Sequence, residues 1–154
     1  MKTITLLILG LNACSLQTLA QTDFLKPDGL APAKGYTHVV VAHPGKLVFV
    51  SGQVANNPQG QLVGKDDLVA QFRQICQNLK AVLLARAGQI NDIVKLTIYV
   101  LDKSAYKRNA KEIGAVYREF FGRHYPAMTF LEVNGLYDDD QGCMIEIEAV
   151  AVVD

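Results

Sequence analysis

Residues 68–121 carry three hydrophobic patterns in a row, and together they leave few folds open. Leu68, Phe72, Ile75, Cys76, Leu79, Val82 and Leu83 recur at helical spacing on one stripe. Asp66 or Asp67 can cap its start and Gly88 follows its end, so the spacing predicts a helix over 68–87. Ile93–Leu101 then changes period. Val94, Leu96, Ile98 and Val100 alternate with Lys95, Thr97 and Tyr99, which predicts a strand with two chemically different faces. From about 103 to 123 the helical period returns in Tyr106, Ala110, Ile113, Tyr117, Phe120 and Phe121, with Asp102 or Ser104 as cap and Pro126 beyond the end. Gly114 interrupts this second helix and weakens it by about 1 kcal/mol relative to alanine.

Shorter strands flank this centre. Val39–Ala42 and Leu47–Val50, separated by Pro44-Gly45, predict a β-hairpin. Asn56–Gly64 reads as a loop, Thr129–Val133 as a strand, Tyr137–Gly142 as a solvated loop and Met144–Val152 as the last strand. The expected order is β-β-α-β-α-β-β. Two helices with one apolar stripe each belong on the same face of one mixed sheet, an α+β fold. If Ile145, Ile147, Ala149 and Ala151 face the helices, the other sheet face carries Glu146, Glu148, Val150 and Val152. That face is a poor surface for a monomer, so oligomerisation is expected.

The first twenty residues stand apart from this pattern. Lys2 is the only charge before Asp23, and Ile4–Leu11 is apolar but too short to span a bilayer. Thr18-Leu19-Ala20 then supplies small residues, the layout of a secretory signal. Residues 1–20 are therefore expected to be a signal peptide and residues 21–154 one domain, exported to the periplasm or secreted. Leu11-Asn12-Ala13-Cys14 offers an alternative, a lipoprotein signal with lipid on Cys14. Cleavage after Ala20 leaves Cys76 and Cys143, expected as two separate thiols with at least one buried. Residues 21–37, with Pro27, Gly29, Pro32 and Gly35, read as an extended lead-in.

Charge narrows the partners. With 15 basic and 15 acidic residues and no basic stripe, nothing asks for nucleic acid. His38, His43 and His124 lack metal-ligand spacing and read as surface or turn residues.

Five stretches resemble one family. Gly35-Tyr36-Thr37-His38 resembles its "G-P-Y-S-x-A" entry, and Val48–Gln53 its "hydrophobic-SGQ" strand end. Asn78–Leu83, Ala87-Gly88 and Asp92–Val100 resemble "N-L-x-A-x-L-x-x-A-G-x-x-x-D-V-V-K-x-T-V-Y-V". Tyr117 with Phe120-Phe121 resembles "V-Y-x-x-F-F", and Ile145–Ala151 the closing "I-E-I-E-A-I-A". On these motifs, in order from Tyr36 to the C-terminus, the chain resembles the RidA/YjgF proteins. The resemblance implies a chorismate-mutase-like fold, a homotrimer, and small-molecule clefts between subunits. It also implies hydrolysis of reactive enamines and imines to a keto acid and ammonia, without metal or other cofactor.

The resemblance also assigns residues. Glu146 matches the glutamate that positions water, Tyr36 a cleft tyrosine, and Gly52 a point of close backbone approach. The family's "P-A-R-S" is here Pro126-Ala127-Met128-Thr129, so Met128 stands where the carboxylate-binding arginine is expected. A thioether cannot make that bidentate pair. Arg123, His124 and Lys95 are the cations considered in its stead. Gly114 is a second departure, where many members have Asn. Two functions remain in view: a divergent imine or enamine hydrolase, and a non-catalytic trimer binding a less charged small ligand in the cell envelope.

Overall fold

A computed structural model of the chain describes residues 22–25 and 27–153. The expected leader, including Cys14, lies outside them. The first long helix, α1 (Leu68–Leu84), starts on Asp67, whose carboxylate accepts from the Val69 and Ala70 N–H groups at 3.0 Å each. Its end comes a turn earlier than the sequence predicts, and Ala87, at φ 56°, takes the left-handed position expected of Gly88. Gly88 answers a different need: a Cβ there would stand 2.9 Å from Val153 Cγ2. The chain passes this close to the last strand, and a side chain at 88 would have to push Val153 aside.

The second helical stretch is split into α2 (Lys103–Arg108) and α3 (Ala110–Phe121). Asp102 caps the first piece through the Ser104 and Ala105 N–H groups. The break falls at Asn109, whose side-chain amide donates to the Ala105 carbonyl at 2.9 Å, a local bond that competes with the helical ladder.

The strands are β1 (Asp23–Leu25), β2 (Val39–Val41), β3 (Lys46–Gln53), β4 (Ile93–Val100), β5 (Ala127–Glu132) and β6 (Ile145–Val153). Four of them form the main sheet in the order β3-β6-β4-β5, with β4 and β5 parallel and the other neighbours antiparallel. The expected hairpin does not form. β2 pairs instead with β1 in the lead-in, with Phe24 opposite Val40. Pro44 lacks an amide hydrogen to extend a ladder, and Gly45 packs so close to β6 that a Cβ would meet Val152 Cγ1 at 2.7 Å. β3 therefore takes β6 as its neighbour. The β1–β2 pair stays largely exposed, and His43, just past β2, lies 3.3 Å from Asp23 of β1.

One sheet face is dry. Leu96, Ile98 and Val100 lie opposite Ala149, Ile147 and Ile145, all buried under α1 and α3. Phe72, Ile75, Leu79 and Leu83 meet them from α1, and Ile113 and Val116 from α3. A bulge near the start of β4 sets Ile93, not Val94, in this layer opposite Ala151. Each such side chain contributes about 1.5–3 kcal/mol by leaving water. Gln71 is the one fully buried polar side chain of α1. It donates to the Gly64 and Gly142 carbonyls and accepts from the Met144 N–H, tying the loops before α1 and β6 together.

The other face is open, as the β6 pattern predicts. It carries Glu146, Glu148, Val150 and Val152, with Leu47 and Phe49 on β3 at 61% and 77% exposure. Among the described residues no helix is long and apolar enough to cross a membrane. Cys76 and Cys143 are free and buried, and burial pushes the Cys76 thiol up to about 12, so it is no nucleophile at neutral pH.

Candidate functional site

The four residues singled out above fall in two places. The first is on the open face. A bulge between Val50 and Gln53 fits Ser51 and Gly52 against β6. A Cβ built on Gly52 would lie 1.7 Å from Glu146 Oε1. Any Cβ there would have to displace the Glu146 carboxylate, so with glycine the strand backbone and this carboxylate sit in direct contact. Glu146 lies opposite Tyr99 of β4, and one step along, Glu148 accepts from the Tyr99 hydroxyl at 3.2 Å. Glu148 is thus engaged, while Glu146 is half-buried and has no ion pair among the described residues. Desolvation first, and then the neighbouring Glu148 and Glu146 carboxylates, push the Tyr99 phenol above its ordinary value.

The second place is on the helix side at the far edge of the sheet. Met128 pairs with Leu96 and faces α2 and α3. It lines a cavity of about 340 Å³ with Ile98, Tyr106, Ile113, Gly114, Tyr117, Arg118, Tyr125, Gly35 and Lys34. Burial holds the Tyr106 phenol up at about 12 and raises Tyr117 further, so both remain neutral hydroxyls. The Tyr117 hydroxyl is spent on the His124 carbonyl at 2.7 Å, and its ring stacks on Phe121 and Tyr125.

Tyr36 stands next to this cavity without lining it. Thr37 donates from its N–H to the Pro126 carbonyl at 3.1 Å and from its hydroxyl to the Tyr125 carbonyl at 2.6 Å, which fastens residues 36–37 beside β5. Tyr36 instead borders a neighbouring cavity of about 380 Å³ under the lead-in, lined also by Phe24, Leu25 and Leu30. The two cavities share Gly35 and Tyr125.

Within one chain, then, Gly52 and Glu146 come together and Tyr36 and Met128 come near each other, but the pairs lie on opposite faces of the sheet with β4 between their strands. The cations considered from the sequence do not join Met128. Lys95 bonds Thr129 on the open face, and Arg123 is exposed and lines neither cavity. His124 is half-buried rather than a surface residue. Its Nε2 lies 2.7 Å from the Ile93 carbonyl, and burial lowers its pKa, so it donates as a neutral ring. Sequence reading missed Arg118 and Lys34, the two cations among the described residues that line the Met128 cavity. Arg118 was there to be found: it is four residues after Gly114, on the same helix face.

The profile of one protein family, described as Endoribonuclease L-PSP, matches residues 27–153. A RutC family protein of Pyrococcus horikoshii is 34% identical over 120 residues, covering 78% of this chain and 88% of that one. A 2-iminobutanoate/2-iminopropanoate deaminase of Salmonella typhimurium is 36% identical over 125 residues, covering 79% of this chain and 91% of that one. Among solved structures, a conserved Rid family protein of Yersinia pestis, YyfB, superposes with a TM-score of 0.76 at 32% identity, covering 86% of this chain and 98% of that one. The YjgF gene product of Escherichia coli gives a TM-score of 0.58 at 36% identity, covering 70% of this chain and 81% of that one.

Proposed function

Because this chain belongs to the endoribonuclease L-PSP family, that of the RidA/YjgF proteins, we propose that it hydrolyses 2-imino acids or the enamines that tautomerise to them, in clefts shared between the subunits of a homotrimer. The observation that carries this reading is the carboxylate of Glu146 lying against the bare strand backbone at Gly52, in the place a Cβ would take. A carboxylate beside exposed backbone can hold a water and take its proton. Water oxygen adds to the imine carbon while Glu146 takes one water proton and passes it to nitrogen, giving a carbinolamine; the hydroxyl proton then follows to nitrogen through the same carboxylate, the C–N bond breaks as the C=O bond forms, and ammonia leaves a 2-oxo acid. Every atom comes from substrate and water, so the step needs no metal or cofactor.

The trimer is supported by two features. Leu47, Phe49, Val150 and Val152 form an apolar area on the open face that a neighbouring copy would cover. The Glu146 and Met128 places, set apart in one chain, would meet in a ring if one copy laid its open face near the β5 edge of the next. Relatives with 2-iminobutanoate/2-iminopropanoate deaminase in their names support the substrate class.

The direct test uses 2-iminobutanoate generated in situ by an amino acid oxidase. The protein should speed ammonia release in proportion to its concentration. No acceleration over buffer, with a bound small ligand still detectable, would favour the second reading, a non-catalytic binding trimer. We propose in addition that residues 1–20 direct export to the periplasm or medium. Intact mass from the native host should begin at Gln21. A lipid-modified Cys14 at the N-terminus would replace this with an anchored lipoprotein, and full-length protein inside the cell would defeat both.

A further inference from the structure

We propose that Arg118, assisted by Lys34, is the carboxylate clamp of the Met128 cavity, and that the cavity selects 2-imino and 2-oxo acids with a branched or aromatic apolar side chain. The inference rests on the reading of this cleft as an imino-acid site. Met128 removes a cation from the strand side of the cavity and leaves a thioether. Arg118 and Lys34 border the same cavity from the helix and lead-in sides, and among the described residues no Asp or Glu lines it. Neither cation has a hydrogen bond or ion pair among the described residues.

Gly114 belongs to the same arrangement. A Cβ at that position would stand 3.4 Å from Arg118 Nη1, so the guanidinium lies across the bare helix surface that glycine leaves. A longer side chain at 114 would push it away. The two departures from the family pattern thus meet at one cavity: the position that loses an arginine faces a helix on which Arg118 lies beside Gly114, in space that a longer side chain would contest. Between the cations and the sheet the walls are Ile98, Ile113 and Met128, apolar and wide enough for more than a methyl group. A planar guanidinium takes a carboxylate through two parallel bonds, and Lys34 adds a point charge.

Titration calorimetry with 4-methyl-2-oxopentanoate and its neutral methyl ester tests this. Wild type should bind the acid more tightly than the ester. Arg118→Gln should weaken the acid by about tenfold or more and leave the ester unchanged. Gly114→Asn should weaken the acid in the same sense by displacing the guanidinium. Arg118→Lys should recover part of the loss, and Arg123→Gln should change neither ligand. Arg118 is exposed, so its variants should melt as wild type does. Equal binding of acid and ester, failure of wild type to bind the acid, or an acid affinity indifferent to Arg118→Gln would each overturn the clamp. Arg118-dependent binding with no turnover of the matching imine would keep the clamp and overturn the hydrolase. Turnover unaffected by Arg118→Gln would do the reverse.

Discussion

Glu146→Gln is expected to slow imine hydrolysis by about 10²–10⁴-fold, the usual contribution of a positioned general base. The change keeps the side chain's size and hydrogen-bonding reach and removes only its ability to take a proton. KM should move little, because the carboxylate meets the attacking water rather than the substrate's acid group. Glu148→Gln is the matched control. Glu148 sits two residues along on the same face but already accepts from Tyr99, so its loss should cost far less. Gly52→Ala should resemble Glu146→Gln for a steric reason, since the new Cβ would occupy the place of Glu146 Oε1, 1.7 Å away, and drive the carboxylate aside. Equal rates for wild type and Glu146→Gln would remove the base from the mechanism.

Phe49→Asp is expected to turn a trimer into monomers and abolish turnover with it. Phe49 is 77% exposed in the single chain and lies opposite Val150 on the open face. Its replacement therefore leaves the fold's own core untouched, and the variant should keep its helical circular dichroism. In an assembly that covers this face, the new carboxylate would be buried without a partner, a cost of several kcal/mol at each interface. Sedimentation should fall from three chain masses to one, and activity should fall with it because the proposed cleft draws on two copies. A Phe49→Asp protein that stays trimeric would place the interface elsewhere. One that is monomeric and active would place the whole site in one chain.

What the sequence made legible depended on how local each signal was. The stripe from Leu68 to Leu83 and the alternation around Leu96, Ile98 and Val100 are contiguous, and they appear as a helix and a two-faced strand. The two faces of β6 followed from the same arithmetic, which is why Glu146 was placed on the open side. Pairing between distant segments left no such trace. Val39–Val41 has the composition of a hairpin arm, but its partner is Asp23–Leu25, in a lead-in whose prolines and glycines read as irregular. Asn109 ended a helix through a bond to Ala105 that no periodicity reveals. At the site, the motifs pointed to Gly52, Glu146, Tyr36 and Met128 one by one. That the first two touch while the last two sit near each other across the sheet depends on strand order. Arg118 left no such trace, because the cavity draws its charge from a helix packed over the sheet rather than from the strand that carries Met128 or its neighbour β4.

The claim most open to direct test is that each cleft is built from two copies, Glu146 from one and the Met128 cavity with Arg118 from the next. Trimers of Glu146→Gln and trimers of Arg118→Gln can be unfolded together, refolded as a mixture and assayed on the imine of leucine well below KM, where the weakened binding of Arg118→Gln lowers its rate as well. In randomly mixed trimers, about one cleft in four receives an intact half from each side, so about a quarter of wild-type activity should return. Recovery of that size is the predicted result. A mixture no more active than its parents would contradict the shared cleft and confine each site to a single chain.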